Sequence, residues 1–441
     1  MMASVQKITL PWGSASLTVA LPESWRVLGE LLPRSLPAAK DVVEVCSEAI
    51  RKPIDAIPLR DRDLSHQRIV VVTEDHTRPT PVASFLRVVL KELQVAGVKD
   101  AQVDFLIATG VHRSSRPEEV ACKLGQEALS RFRWCCHDAY NQHRLVNLGT
   151  TIRGTPVWIN QLLVQADLII CIGTIEPHLL MGFGGGLKMI VPGCAGNETI
   201  GKNHLQGVDA QRFDLVGVAA DESPMRLDLE EAAELLGEKI FIVNAVMNEA
   251  GQPAKFFCGD PVAAHRAGEN FIRMIVGLNV PELADVVLTN SYPMDSDLRQ
   301  SIKCVGNALF ASKPGGVMMG CVRCQDGLGE IPLPARTLPY AMLRTLVRVI
   351  GKHRILALVK RLKKAEPVEE VFISHFGLQM LRRNHLALFS DGLPADTGRK
   401  LGLVRTFSDS SEMVHWSAKK VPRRATVWIF PYGGATYACR G

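Results

Sequence analysis

Apolar, β-branched runs alternate with amphipathic helical patterns along most of this chain, and that alternation restricts it to one fold class. RIVVVTED (68–75), AQVDFLIATG (101–110) and DLIICIGTIEP (167–177) read as buried strands. Between the first two lies PVASFLRVVLKELQVAG (81–97), a helical pattern ending on Gly97, and after the second RPEEVACKLG (116–125), with acidic residues in its first turn. The pattern resumes with the strand IFIVNAVMN (240–248), a helix over 261–277, the strand ADVVLTNSYP (284–293), the helix DLRQSIKCVGNALFAS and the strand GGVMMGCV. Strands that are apolar throughout, separated by helices, belong to sheets covered on both faces. The expected fold is therefore α/β, with mainly parallel sheets flanked by helices.

At 441 residues the chain is long for one core, so two domains are expected. Gly277, Asn279 and Pro281 interrupt the pattern. The boundary there gives an N-terminal cofactor-binding and catalytic domain over 1–277 and a C-terminal α/β domain over 283–420. The closing segment 421–441, which holds ATVWIFPYGGATY, reads as a strand that either domain could take. At the other end, KITLPWGSASLTVALP alternates like a β-hairpin bounded by Pro11, Gly13 and Pro22.

Several function classes are disfavoured. The start of the chain has no basic segment followed by an apolar one, and no run approaches a membrane span, so a cytoplasmic location without a membrane partner is expected. The net charge of +6 is modest, and its late basic runs (352–364 and 419–424) lack any nucleic-acid motif. Eleven scattered cysteines do not form a disulfide framework, and the single CxxC, Cys321 and Cys324, has no second pair to make a zinc site.

The chemistry collects where ligands bind in open α/β sheets, beyond the carboxyl ends of strands. The first strand leads into Asp75, His76, Thr77 and Arg78, and the second into His112 and Arg113. The third leads into EPHLLMGFGGGLKMIVPG (176–193), with Gly182, Gly184, Gly185 and Gly186 packed around Phe183 and Lys188 two places on. This bed fits neither a Walker loop, since Met189 follows the lysine, nor GxGxxG. Its physics remains: backbone without side chains lets an anionic group approach its N–H groups, and Lys188 stands ready as a charge or a nucleophile.

In order and spacing, DHTRPTP, IATGVHR, EPHLLMGFGGGLKMIVPG and NHLQ resemble the nickel-dependent lactate racemase family, from the LPWG hairpin to at least Lys303. The resemblance implies an isomerase, a racemase or epimerase of a 2-hydroxy acid, with its active site in the interdomain cleft. It implies a nickel-pincer nucleotide (pyridinium-3-thioamide-5-thiocarboxylic acid mononucleotide nickel) attached at Lys188, with His204 as the protein's nickel ligand. Gly184, Gly185 and Gly186, with Asp75 and Thr77, would bind that cofactor. His112 and His178 would be the acid/base pair, and Arg78, Gln300 and Lys303 would bind substrate. Hydride would pass to the cofactor as a histidine takes the hydroxyl proton, through a 2-oxo acid intermediate. Maturation would need cofactor-biosynthesis enzymes as partners.

One departure bears on substrate. The family's prototype has tyrosine immediately before the glutamine, where this chain has Arg299. A planar guanidinium suits a second carboxylate, so a 2-hydroxy acid larger or more acidic than lactate is expected. Two rival readings are a pyridoxal-phosphate enzyme with Lys188 as imine former, and a non-catalytic nucleotide- or anion-binding relative.

Overall fold

The computed structural model describes residues 5–78, 80–208, 215–329, 331, 333–334, 337–362 and 368–439; within these, the side chains of 358–362 and 368–373 are not described. Positions 363–364 of the late basic run and Pro79 of DHTRPTP lie outside the described residues. The chain divides into two compact units.

One unit comprises Ser35–Ala210 and Val218–Met274. Its sheet contains β1 (Ile69–Glu74), β2 (Val103–Ala108), β3 (Arg133–Cys136), β4 (Leu168–Thr174), β5 (Ile240–Met247) and β6 (Pro253–Gly259), in the order β6-β5-β4-β1-β2-β3. All neighbours are parallel except β6, which runs antiparallel to β5 at one edge. Every residue of β1 and β4 is buried, as expected for central strands covered on both faces. Their inward side chains, Val71, Ile170 and Ile172 among them, join Phe85, Val89 and Phe105 in one apolar core. The chain begins in the middle of this sheet, moves out through β2 and β3, and crosses back to β4 on the other side of β1. Strand order therefore reverses between β1 and β4, and that reversal opens a crevice at their carboxyl ends.

The other unit comprises Met1–Arg34, Gln211–Gly217 and Ile275–Gly441. Its sheet, parallel throughout, runs Arg405–Phe407, His385–Phe389, Ser312–Cys321, Ala284–Asn290, Thr426–Phe430, Arg26–Glu30. The opening hairpin, Val5–Trp12 against Ala15–Pro22, packs Leu10, Val19 and Leu21 onto Val286, Leu288 and Ile429 of that sheet. Two sequence assignments change here. Residues 1–34 were grouped with the first domain but belong to the second unit. The closing segment, left open between domains, supplies an interior strand of that unit's sheet. The reason is long-range pairing: the strand neighbour of Arg26–Glu30 is Thr426–Phe430, at the far end of the chain.

Local differences are small. The helix over 81–97 starts later, at Leu86, behind a 3₁₀ turn at Val82–Ser84 that follows Pro81. The helix expected after Asp297 breaks at Ile302 into Leu298–Ser301 and Lys303–Ala308, then a 3₁₀ turn. All eleven cysteines are unpaired. No helix among the described residues is long and apolar enough to cross a membrane.

Candidate active site

β1 and β4, the two strands flanking the reversal, carry the two richest polar segments. Glu74 ends β1 and binds directly across to β4: Thr174 N–H donates to Oε1 at 2.9 Å, and the Thr80 hydroxyl donates to Oε2 at 2.5 Å. Next in the chain, Asp75 is buried, yet its carboxylate is well satisfied. Thr77 donates to Oδ1 through N–H (3.1 Å) and hydroxyl (2.6 Å), and His112 Nδ1 lies 2.6 Å from Oδ2. Burial opposes ionisation of Asp75, but His112, Arg78 and Thr77 outweigh it and hold the carboxyl well below the usual range.

These contacts set the state of each imidazole. A carboxylate accepts only, so His112 Nδ1 carries the proton and Nε2 is the basic nitrogen of the neutral ring. His178 is the opposite. It pairs in a two-residue ladder with Gly182, and Leu180 N–H donates to its Nδ1 at 3.3 Å, so its neutral ring carries the proton on Nε2. The pair thus presents one acceptor and one donor. His204, on the helix Asn197–Val208, has Nδ1 2.8 Å from the Ile200 carbonyl. That bond places the proton on Nδ1, so Nε2 is the basic nitrogen of the neutral ring.

Arg78 is half-buried and pairs with Glu176, Nε to Oε1 at 3.1 Å, while its Nη1 donates to Thr77 Oγ1 at 3.2 Å. Its loop is braced from behind. Lys123, on the helix Pro117–Leu124 and almost fully buried, donates to the carbonyls of Arg78 (2.6 Å) and Thr80 (3.2 Å). By contrast Arg113 is engaged with Glu119 at 2.6 and 2.8 Å, and His76 with Ser115 at 3.0 Å.

The glycine bed is held from beneath by three side chains with no solvent exposure. His265 Nε2 donates to the Gly184 carbonyl (2.8 Å), Arg226 Nη1 to the Gly185 carbonyl (3.1 Å), and Gly186 N–H to Asn244 Oδ1 (3.1 Å). Gly185 and Gly186 have φ of +80° and +58°, a region L side chains rarely occupy. A Cβ on Gly185 would also lie 2.9 Å from the Thr174 carbonyl. Only glycine fits there. The bed turns directly into the 3₁₀ segment Gly186–Met189, which carries Lys188. Lys188 Nζ lies 3.6 Å from where a Gly184 Cβ would be, as does Glu176 Cγ. Burial, then Arg78, pushes the Lys188 ammonium down to about 8, against the pull of Glu176, Glu74 and Asp75. The charges felt by this amine come from the end of β1 and the segments that follow β1 and β4, with Glu176 beside it at the Gly184 position and Arg78 paired to Glu176.

In this unit, then, Asp75, Thr77, Arg78, His112, His178, Gly184, Gly185, Gly186 and Lys188 stand on or beside the crevice-forming segments, while His204 stands apart from them in the chain, on the helix Asn197–Val208. Gln300 and Lys303 belong to the other unit, where Lys303 Nζ donates to Gln300 Oε1 at 2.5 Å; Arg299 shares their broken helix and is half-buried. The sequence reading did not single out Glu176, Lys123, Arg226, Asn244 or His265. Asn244 carried a signal, as a polar residue inside an apolar strand. The rest sit in ordinary helical or loop contexts.

The chain is similar to known proteins over most of its length. Residues 12–214 match a family model described as the lactate racemase N-terminal domain. A lactate racemase of Thermoanaerobacterium thermosaccharolyticum is 33% identical over 326 residues, covering 73% of this chain and 75% of that protein. A lactate racemase of Lactiplantibacillus plantarum is 25% identical over 435 residues, covering 97% and 98%. The solved lactate racemase apoprotein from Thermoanaerobacterium thermosaccharolyticum superposes with a TM-score of 0.85 at 27% identity, covering 98% of this chain and all of that one.

Proposed function

The chain belongs to the lactate racemase family, an isomerase acting on a 2-hydroxy acid, and from that premise we propose that it works with a nickel-pincer nucleotide tethered at Lys188. The residues present fit such a group. Gly184, Gly185 and Gly186 leave the backbone bare, Lys188 offers an amine that is partly neutral near neutral pH, and His204 offers an oriented Nε2. Among the described residues no three His, Cys, Asp or Glu side chains converge as a metal-binding group. A metal on His204 would therefore take its other donors from a bound organic ligand, and nickel accepts a planar set of soft and imidazole donors.

When bound, the nucleotide would supply a hydride acceptor for C2 of the substrate. The chain's own residues do the rest. Arg78 takes the carboxylate, as a guanidinium does best, in place of the Glu176 carboxylate that it holds in this structure. His112 Nε2 accepts the hydroxyl proton, and the imidazolium so formed is stabilised by Asp75 behind it. His178 presents Nε2–H and can steady the substrate oxygen from another direction; racemisation needs proton handling for both enantiomers. Gln300 and Lys303 are assigned to substrate binding by the family resemblance, and Arg299 to a substrate larger or more acidic than lactate.

The observation that carries this reading is the convergence of Asp75, Arg78, Glu74 and Glu176 on Lys188, from the two strands where the sheet order reverses. The test is a panel of D- and L-2-hydroxy acids given to cofactor-loaded protein and scored by chiral chromatography, with nickel measured on the same sample. Racemisation with about one nickel per chain is expected, together with preference for an acid bearing a second polar group. Preference for lactate over all others would overturn the substrate assignment. Visible absorbance from an imine without nickel would overturn the cofactor.

A further inference from the structure

Lys188 does more than mark a tether. Among the described residues no acceptor takes a hydrogen bond from its Nζ, although the groups around it are otherwise closely paired. The amine is flanked by Glu176, whose carboxylate rests on Arg78 at 3.1 Å, so a guanidinium that holds carboxylates lies one side chain away. A carboxylate-binding cation, an unpartnered amine and an acid/base imidazole backed by a carboxylate are what an imine-forming site for 2-oxo acids requires. We propose that, before the cofactor is attached, Lys188 condenses reversibly with 2-oxo acids, the oxidation level of its own reaction's intermediate, with Arg78 holding their carboxylate. The imine itself rests on the assignment of Arg78 as the carboxylate grip and not on nickel chemistry; its hold on maturation rests also on the proposed tether at Lys188.

The step balances without an external oxidant. The neutral amine's lone pair attacks the C2 carbonyl carbon, a C–N bond forms, and the carbonyl π pair moves to oxygen, which takes a proton. The carbinolamine then loses water as the nitrogen lone pair forms the C=N bond, leaving a protonated imine. His112, with Asp75 behind it, is the group at this crevice suited to carry the proton to the departing hydroxyl. An amine lowered to about 8 has roughly 300-fold more neutral form at pH 7 than one at 10.5, so Lys188 outcompetes surface lysines. The imine occupies the amine on which the cofactor must be mounted. Accumulated 2-oxo acid would thereby hold back maturation, and release it on dilution because the bond hydrolyses.

The experiment uses the full chain produced in a host without the pincer-synthesis enzymes. Protein is incubated with pyruvate or with propanal, each with sodium cyanoborohydride, and modified lysines are mapped by peptide mass spectrometry. With pyruvate, a carboxyethyl group on Lys188 at about tenfold or more above any other lysine is expected, rising with pH towards 8. Propanal, which lacks the carboxylate, should show no such preference. Arg78→Ala should remove the pyruvate preference, and Lys188→Arg the adduct. Label spread evenly over the lysines, or equal labelling by pyruvate and propanal in the unaltered protein, overturns the proposal. Because the unaltered protein gives the decisive comparison, a variant that fails to fold does not rescue it. Trapping without racemisation after loading would sink the proposed cofactor reading alone, and racemisation without trapping would sink this one alone.

Discussion

The carboxylate of Asp75 holds the Nδ1–H of His112 at 2.6 Å, and the same carboxylate is locked by the N–H and hydroxyl of Thr77. His112 is thereby fixed in ring orientation and tautomer, with Nε2 turned to basic work. Replacing Asp75 with asparagine keeps the shape but substitutes an amide that can donate to Nδ1, selecting the other tautomer. We expect kcat to fall about 100-fold with KM little changed, measured by initial racemisation rates in both directions. An equal loss in binding and turnover would mean that Asp75 serves the fold or the cofactor instead.

His204→Ala should leave the helix intact, since alanine favours helix and this imidazole is half-buried. Nickel measured by inductively coupled plasma mass spectrometry should drop to about a tenth or less of the unaltered protein's. The adduct on Lys188 should survive, because tether and ligand are separate side chains. Retained nickel would remove His204 from the metal site.

Arg226 is buried without exposure and links the bed to the helix Pro224–Glu234. It donates to the Gly185 carbonyl, and its Nε lies 2.7 Å from Glu230. Arg226→Met keeps the bulk and loses both bonds, while Glu230 retains Arg266 at 2.8 Å. The urea midpoint should fall by the equivalent of about 3 kcal/mol. No change would show that the bed needs no anchor from below.

Acid should weaken this unit through His137. Its Nε2 donates to the Ala195 carbonyl at 2.8 Å, its Nδ1 accepts from Asn160, and burial pushes it down to about 4. A histidine with a depressed folded pKa binds its proton more readily when unfolded. Its contribution is therefore whole above about pH 6.5 and lost as pH falls through 4, amounting to about 3 kcal/mol. Urea titrations across that window should show the decline in the unaltered protein and a flatter profile in His137→Gln.

Much of this was legible in the chain. The runs ending at Glu74, Ala108 and Thr174 are dominated by Val, Ile and Leu because central parallel strands are covered on both faces, and the polar residues at and beyond their carboxyl ends are where the crevice opens. Lys188 and the bed stood out because four glycines in five positions have no role in a packed element. What was not legible depended on distant partners. Nothing local in PAKFFCG tells that it runs antiparallel to β5, and nothing in PMRLDLEEAAE tells that Arg226 points into the interior rather than water. The break at Ile302 was likewise hidden in a continuous helical pattern. His265 reads as an ordinary helical histidine until Gly184 is placed against it.

Among the described residues Arg26–Glu30 pairs only with Thr426–Phe430, so almost the whole chain separates the two strands of that ladder. During synthesis the opening hairpin and its strand leave the ribosome long before their neighbours exist, and wait with an apolar face uncovered. The unit holding Lys188 has all six strands of its main sheet by residue 259 and can close around its crevice first. Truncating the last twenty residues would therefore strip support from the first thirty, although the two ends have no proximity in the sequence.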